Sequence, residues 1–178
     1  MHDSLTNHLY IEPIPTPIGV ALLVTDAAGV VRAFDFEDFE PRMRRLLRLH
    51  YGEATLHAGA APQTVKGPIT KYFVGELNAL AGLHWATAGT TFQRCVWNAL
   101  QTIPVGTTLS YGGLAGRIGK PGAARAVGLA NGGNPISVIV PCHRVIGSNG
   151  ALTGYGGGLP RKHWLLMHEG ALSHTPAL

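Results

Sequence analysis

The sequence predicts an α/β (α+β) protein of two domains: a strand-and-helix scaffold over residues 1–85 and a mostly helical domain over 86–178 containing a helix-turn-helix. Three observations carry this. Residues 19–26 and 30–36 are β-branched and aromatic runs separated by Ala27-Ala28-Gly29, the pattern of two antiparallel strands joined by a turn. Residues 81–89 consist largely of small side chains and lose the helical period, which places the domain boundary among them. Beyond it, two short helical patterns flank the turn Gly119-Lys120-Pro121-Gly122, and that is helix-turn-helix spacing.

The remaining elements follow from periodicity and capping. Pro41 opens a helix that runs through Met43, Leu46, Leu47 and Leu49 to Gly52. Its Arg42, Arg44, Arg45 and Arg48 read as a solvated face in preference to a nucleic-acid patch. A second helix is expected over 68–80, with Ile69, Tyr72, Phe73 and Leu77 as its packing stripe. Thr91 can cap a helix carrying Phe92, Val96, Trp97 and Leu100, which Pro104 terminates. The helix-turn-helix then comprises 110–118, with Leu114 and Ile118 apolar, and 123–130.

Composition narrows the class. Charged residues make up 13% of the chain and hydrophobic ones 46%, values of a soluble globular protein rather than a disordered one. Two cysteines, Cys95 and Cys142, cannot build a disulfide framework, and no CxxC spacing suggests a metal cluster, so a reduced, cytoplasmic protein is expected. Residues 1–8 lack a basic segment followed by an apolar one, and no apolar run is long enough to span a bilayer. Neither secretion nor membrane insertion is expected. Residues 1–89 hold seven Lys/Arg against nine Asp/Glu, whereas 90–178 hold seven against one, so the second half carries +6 and the first −2. A polyanionic partner for the second half is the natural reading.

Pro141-Cys142-His143-Arg144-Val145 holds the chemistry. A thiol near pKa ~8.5 becomes a nucleophile only as thiolate, and His143 and Arg144 can supply a base and a positive neighbourhood. Taken alone, Cys142 reads more readily as a small buried hydrophobe closing a strand, and the local context has to overturn that reading. The second helix of the helix-turn-helix is nearly bald: Ala123, Ala124, Ala126, Gly128 and Ala130 offer no groups for base-edge readout, and only Arg125 reaches far. Such a helix suits close approach to a narrow groove and entry of one long side chain into the base stack. A small-residue helix packed inside the protein is the alternative.

Over about residues 91–170 the chain closely resembles the 6-O-alkylguanine-DNA alkyltransferases, the methylated-DNA–protein-cysteine methyltransferase family, in its bacterial single-chain form. The resemblance rests on Ser110-Tyr111-Gly112, Ala124-Arg125-Ala126-Val127-Gly128, Asn134-Pro135, the signature at 141–145, Leu152-Thr153-Gly154-Tyr155-Gly156-Gly157-Gly158-Leu159 and Trp164-Leu165-Leu166-Met167-His168-Glu169-Gly170. Six elements occur in order over about eighty residues. The N-terminal half matches only in general pattern, and the resemblance implies a ribonuclease-H-like domain there.

The resemblance implies direct-reversal repair of DNA. A guanine alkylated at its 6-oxygen leaves the duplex, and Cys142 takes the alkyl group irreversibly, once per molecule; O4-methylthymine is a second candidate substrate. His143 would act as base through a water, with Glu169 orienting it. Asn134 matches the residue that hydrogen-bonds within this network and shapes the turn before the active-site strand. Tyr111 would donate to a ring nitrogen of guanine, dispersing the charge that develops there. Arg125 would fill the vacated space, with Ala123, Ala124, Ala126 and Gly128 lying along the DNA beside Tyr111. Val145, Tyr155, Gly156, Gly157 and Gly158 would form the base pocket, the glycines letting backbone approach the base edge and donate. No cofactor is implied, since the protein is the acceptor, and the expected partner is double-stranded DNA containing alkylated guanine. A monomer in solution, packing cooperatively on DNA, fits this picture.

Some relatives carry a zinc in the N-terminal domain. Residues 1–89 lack cysteine, so His8, His50, His57 and His84 read as surface histidines and no metal is expected. The same residues admit three rival readings. A cysteine hydrolase would need Cys142 and His143 paired, though neighbours on an extended strand face opposite ways. A metal site lacks a second ligand pair. A lesion-sensing or regulatory helix-turn-helix protein would explain the charge and Arg125 but not Cys142, Tyr111 and the glycine run.

Overall fold

A computed structural model describes residues 8–173; residues 1–7, read above for a targeting segment, and 174–178 lie outside it. The chain forms two compact units. One comprises the residues up to Thr90 together with Pro135–Ile139, and the other comprises Thr91–Asn134 with the chain from Val140 onward.

The first unit is built on a four-stranded sheet. Strands β1 (His8–Thr16), β2 (Gly19–Asp26), β3 (Val31–Phe36) and β4 (Thr55–Ala58) lie in the order β3-β2-β1-β4. β1 and β3 run antiparallel to β2, and β4 pairs parallel to β1. β2 and β3 are the expected hairpin. Asp26 sets its turn by accepting from the N–H groups of Ala28 and Val30 while its other carboxylate oxygen holds Arg32 at 2.8 Å. β1 was not legible in the sequence because Pro13 and Pro15 interrupt it. β4 pairs only with His8 to Ile11, so both prolines stand where β1 has an open edge and a missing N–H breaks no ladder bond.

Helix α1 (Glu40–Tyr51) has Pro41 in its first turn and ends at Gly52, whose φ of 66° terminates it as expected. Its Met43 and Leu47 pack with Leu9, Leu22, Val24 and Ala33 into one core cluster. Arg42 binds the buried Asp35 at 2.7 Å, and Arg44 pairs with Glu40 on the exposed side. Helix α2 (Gln63–Phe73) corrects the expectation of 68–80. It starts five residues earlier, with Val65 extending the buried stripe of Ile69, Tyr72 and Phe73. It stops at Phe73 because Gly75 takes a φ of 109°. Pro68 therefore lies inside this helix rather than opening it.

The second unit contains α3 (Thr91–Leu100), α4 (Tyr111–Arg117), α5 (Ala124–Gly132), α6 (Leu159–His168) and the two-residue parallel strands β5 (Leu109–Ser110) and β6 (Val145–Ile146). Ser110 caps α4 by accepting from Gly113 N–H at 2.9 Å. The fully buried Trp97 of α3 donates its indole N–H to Ala130 O at 2.8 Å and so anchors α5. α4 and α5 form the expected helix-turn-helix. Among the described residues no helix is long and apolar enough to cross a membrane, and no group of three or more His, Cys, Asp or Glu is placed to hold a metal ion.

The apolar run before Cys142 is not a strand. Ile136 makes a single bridge to Phe34, 137–139 turn, and Val138 takes a φ of 68°, rare for a β-branched residue. Cys142–Arg144 is one turn of 3₁₀ helix. Every residue from Asn134 to Val145 is buried.

Candidate active site

The 3₁₀ turn brings Cys142 and His143 into one compact bend, in place of the opposed directions they would take on a strand. Two asparagines hold this bend. Asn134, fully buried, donates from its side-chain amide to Val140 O at 2.9 Å, and Cys142 N–H also donates to Val140 O, at 2.8 Å. Asn131, near the end of α5, donates to Cys142 O at 3.3 Å. Cys142 is not part of a disulfide and has 3% of its surface exposed.

His143 is wholly buried, and its Nε2 lies 2.8 Å from Glu169 Oε1. Glu169 sits at the C-terminal end of α6, where the helix dipole disfavours a carboxylate. Arg144 reverses that: its Nε donates to Oε2 at 2.9 Å and its Nη2 to Oε1 at 2.9 Å, a two-pronged pairing. Burial alone would raise Glu169, but His143 and Arg144 together hold it far below the carboxylate range. Glu169 is thus ionised and can only accept, so His143 presents Nε2–H to it. Nδ1 then carries the lone pair. That atom is buried and has no hydrogen-bond partner in the protein. Burial lowers His143's proton affinity, with Glu169 opposing the shift, so the resting imidazole is neutral.

Arg144 was expected to lend positive charge to the thiol. Instead its guanidinium is engaged with Glu169 and with Ile103 O, at 2.8 Å. Sequence reasoning also passed over Lys162. This α6 lysine is completely buried, with Nζ 2.6 Å from Val145 O, 2.9 Å from Thr153 O and 3.3 Å from Gly154 O. A lone Lys among polar helix residues reads as solvated, and only packing reveals otherwise.

Of the residues expected to form the base pocket, Tyr155 places its ring edge-on to His143, with centroids 6.5 Å apart. Tyr111, half-buried at the start of α4, donates its hydroxyl to Thr153 O at 2.9 Å. Lys162 and Tyr111 therefore share one carbonyl of the pocket loop. A Cβ built on Gly128 would lie 3.7 Å from the Tyr111 ring, so α5 runs directly beside it. Val145 is buried and Gly156 half-buried, while Gly157 is buried and accepts from Arg161 at 3.1 Å. Gly158 caps α6 with a φ of 89°, and its N–H donates to Tyr155 O at 3.0 Å.

On α5, Ala123 and Ala124 are half-buried while Arg125 and Ala126 are exposed. The helix is less bald than it reads: Leu129, one turn beyond Arg125 on the same face, is 74% exposed.

Residues 91–171 match the family profile described as 6-O-methylguanine DNA methyltransferase, DNA binding domain. The methylated-DNA–protein-cysteine methyltransferase of Salmonella typhimurium is 50% identical over 163 residues, 90% of this chain and 95% of that protein. The Mycobacterium tuberculosis protein of the same name is 53% identical over 75% of this chain and 81% of its own. Among solved structures, Mycobacterium tuberculosis OGT in complex with DNA superposes with a TM-score of 0.76 at 41% identity, covering 92% of this chain and 93% of that one. The O6-methylguanine-DNA methyltransferase of Pyrococcus kodakaraensis, 24% identical with a TM-score of 0.67, shares the fold. The matched span contains the buried Cys142 thiol, the neutral His143 imidazole and the ionised Glu169 carboxylate, and on these matches the chain belongs to the methylated-DNA–protein-cysteine methyltransferase family.

Proposed function

We propose that Cys142 accepts the methyl group of a 6-O-methylguanine rotated out of duplex DNA, with His143 as base and Tyr111 as donor to the leaving base. The observation that carries this reading is the orientation of His143: Glu169 fixes Nε2–H, and the lone pair is left on a buried Nδ1 with no partner in the protein. A proton from Cys142 can reach it through one water. The thiolate then attacks the methyl carbon from the side opposite oxygen; a C–S bond forms as the C–O bond breaks, and the electron pair stays with guanine. Guanine regains one proton, balancing the one taken from the thiol. The thioether has no route back, so each molecule reacts once.

The 6-oxygen lies within the base stack, so attack in line with the C–O bond requires the base to leave the duplex. Arg125 is the α5 side chain long enough to replace it. The small residues Ala123, Ala124, Ala126 and Gly128 allow the helix to approach the groove, and Leu129 adds an apolar contact one turn away. In the resting protein the Tyr111 hydroxyl is engaged with Thr153 O. On base entry it transfers that hydrogen bond to a ring nitrogen, where it offsets developing charge. Tyr155 covers the base. Gly158 uses its N–H within the loop, which leaves Gly156 and Gly157 to face the base edge. We place this activity in the cytoplasm with the chromosomal DNA.

Cys142→Ala tests the reading. The variant is expected to bind methylated duplex as tightly as wild type, within about twofold, while leaving the lesion intact. Repair by the variant would remove Cys142 as acceptor.

A further inference from the structure

The buried charges beside Cys142 do not cancel. Glu169 and Arg144 neutralise one another, and His143 is neutral. Lys162 adds one ammonium that no solvent reaches, and the three groups it donates to are all neutral carbonyls. Among the described residues no carboxylate pairs with it. Lysine is rarely buried in full unless paired, because desolvating a lone charge is strongly unfavourable. Gathering three carbonyls needs donors, not a charge. An ammonium kept here without an anion is preorganised for negative charge that appears only during the reaction.

That charge arises at Cys142. We propose that Lys162 is the built-in counter-charge of the Cys142 thiolate, a positioning residue that acts on the nucleophile electrostatically while tying Val145 to the pocket loop at Thr153 and Gly154. The inference rests on Cys142 being the alkyl acceptor. Burial, opposed by the negative charge of a neighbouring Cys142 thiolate, leaves the lysine at about 8. Lys162 also disfavours a charged His143, keeping that base free to accept a proton. The other charged or titratable groups facing the pair are Arg144 and Glu169, with Tyr155 against His143 and Tyr111 reached through Thr153 O.

The test compares Lys162→Met and Lys162→Arg with wild type. Alkylation of Cys142 by iodoacetamide is followed against pH by peptide mass spectrometry without DNA, with the exposed Cys95 as internal reference. The Cys142 midpoint is expected to rise by at least one pH unit in Lys162→Met, a tenfold loss of thiolate at neutral pH. It should stay within half a unit in Lys162→Arg, while Cys95 is unchanged in both. An unshifted midpoint in Lys162→Met, with methyl transfer nonetheless slowed, would reduce Lys162 to a loop clasp and overturn the proposal. If Lys162→Met does not fold, the wild-type ammonium is titrated by nitrogen NMR before and after stoichiometric methylation of Cys142. Loss of the thiolate should lower Lys162's midpoint by at least half a unit, and an unchanged midpoint would overturn the proposal. Failure of Cys142 to take methyl from DNA would instead strike the acceptor assignment, and the iodoacetamide midpoints would still decide the role of Lys162.

Discussion

Replacing Glu169 by Gln should damage the site in two separable ways. Glu169 accepts from His143 Nε2 at 2.8 Å and from Arg144 Nε and Nη2 at 2.9 Å each, and its side chain is fully enclosed. The amide keeps the volume but removes the charge, leaving Arg144 buried without an anion. Breaking one side of a buried pair costs about 3–5 kcal/mol. At about 2–4 °C per kcal/mol for a chain of this size, the melting temperature should fall by about 6–20 °C. Adding Arg144→Met removes the stranded charge and should restore at least half of the lost stability, so the double-mutant cycle is strongly non-additive. Methyl transfer should stay about 10²–10⁴-fold slow even in the stabilised double variant, because His143 loses its orienting acceptor. Calorimetry on the four proteins, with single-turnover transfer rates, checks both parts. A single-variant loss under 1 kcal/mol, or an additive cycle, would refute the buried-pair argument.

Three further outcomes follow from the geometry. Methylated Cys142 should lower the melting temperature, since one extra methyl in a closed site costs about 1–3 kcal/mol; equal melting of methylated and unmethylated protein would contradict that. Leu129→Ala should weaken duplex binding about fivefold, roughly 1 kcal/mol of lost apolar contact, without changing the salt slope, whereas Arg125→Ala should flatten that slope by one charge; titrations at several salt concentrations separate the two. Burial depresses His143 and His50 below their unfolded value of 6.5, so both take up protons on unfolding. Their contribution to stability is present above about pH 6.5 and is lost as pH falls toward the folded values, so denaturant midpoints should drop between pH 7 and 5; proton release on unfolding in that window would contradict the neutral imidazole.

The candidate reacting residues were legible because short motifs carry them: Cys142, His143, Glu169, Asn134 and Tyr111 all fall within the segments that resemble the family, and the structure brings His143 and Glu169 together across 25 intervening residues of loop and helix. What stayed hidden depended on tertiary packing. Lys162 looks like an ordinary surface cation, and Arg144 like a positive neighbour of the thiol, until burial shows one enclosed by carbonyls and the other locked to Glu169. β1 was masked by prolines that an open sheet edge tolerates. The turn at 136–140 was masked by its β-branched residues, which favour a strand, whereas the Ile139 N–H donates to Ser137 O and closes a tight turn around Val138. The start of α2 was misplaced because Pro68 is a better signal for a first turn than for the helix interior it occupies.

The central claim is that Cys142 itself becomes the product. Intact-protein mass spectrometry after equimolar incubation with duplex carrying one 6-O-methylguanine, with no cofactor added, tests it most directly. The account predicts a gain of one methylene per molecule, mapped to the Cys142 peptide, with no second turnover when more substrate is supplied. An unchanged protein mass with the lesion intact on bound DNA would contradict it.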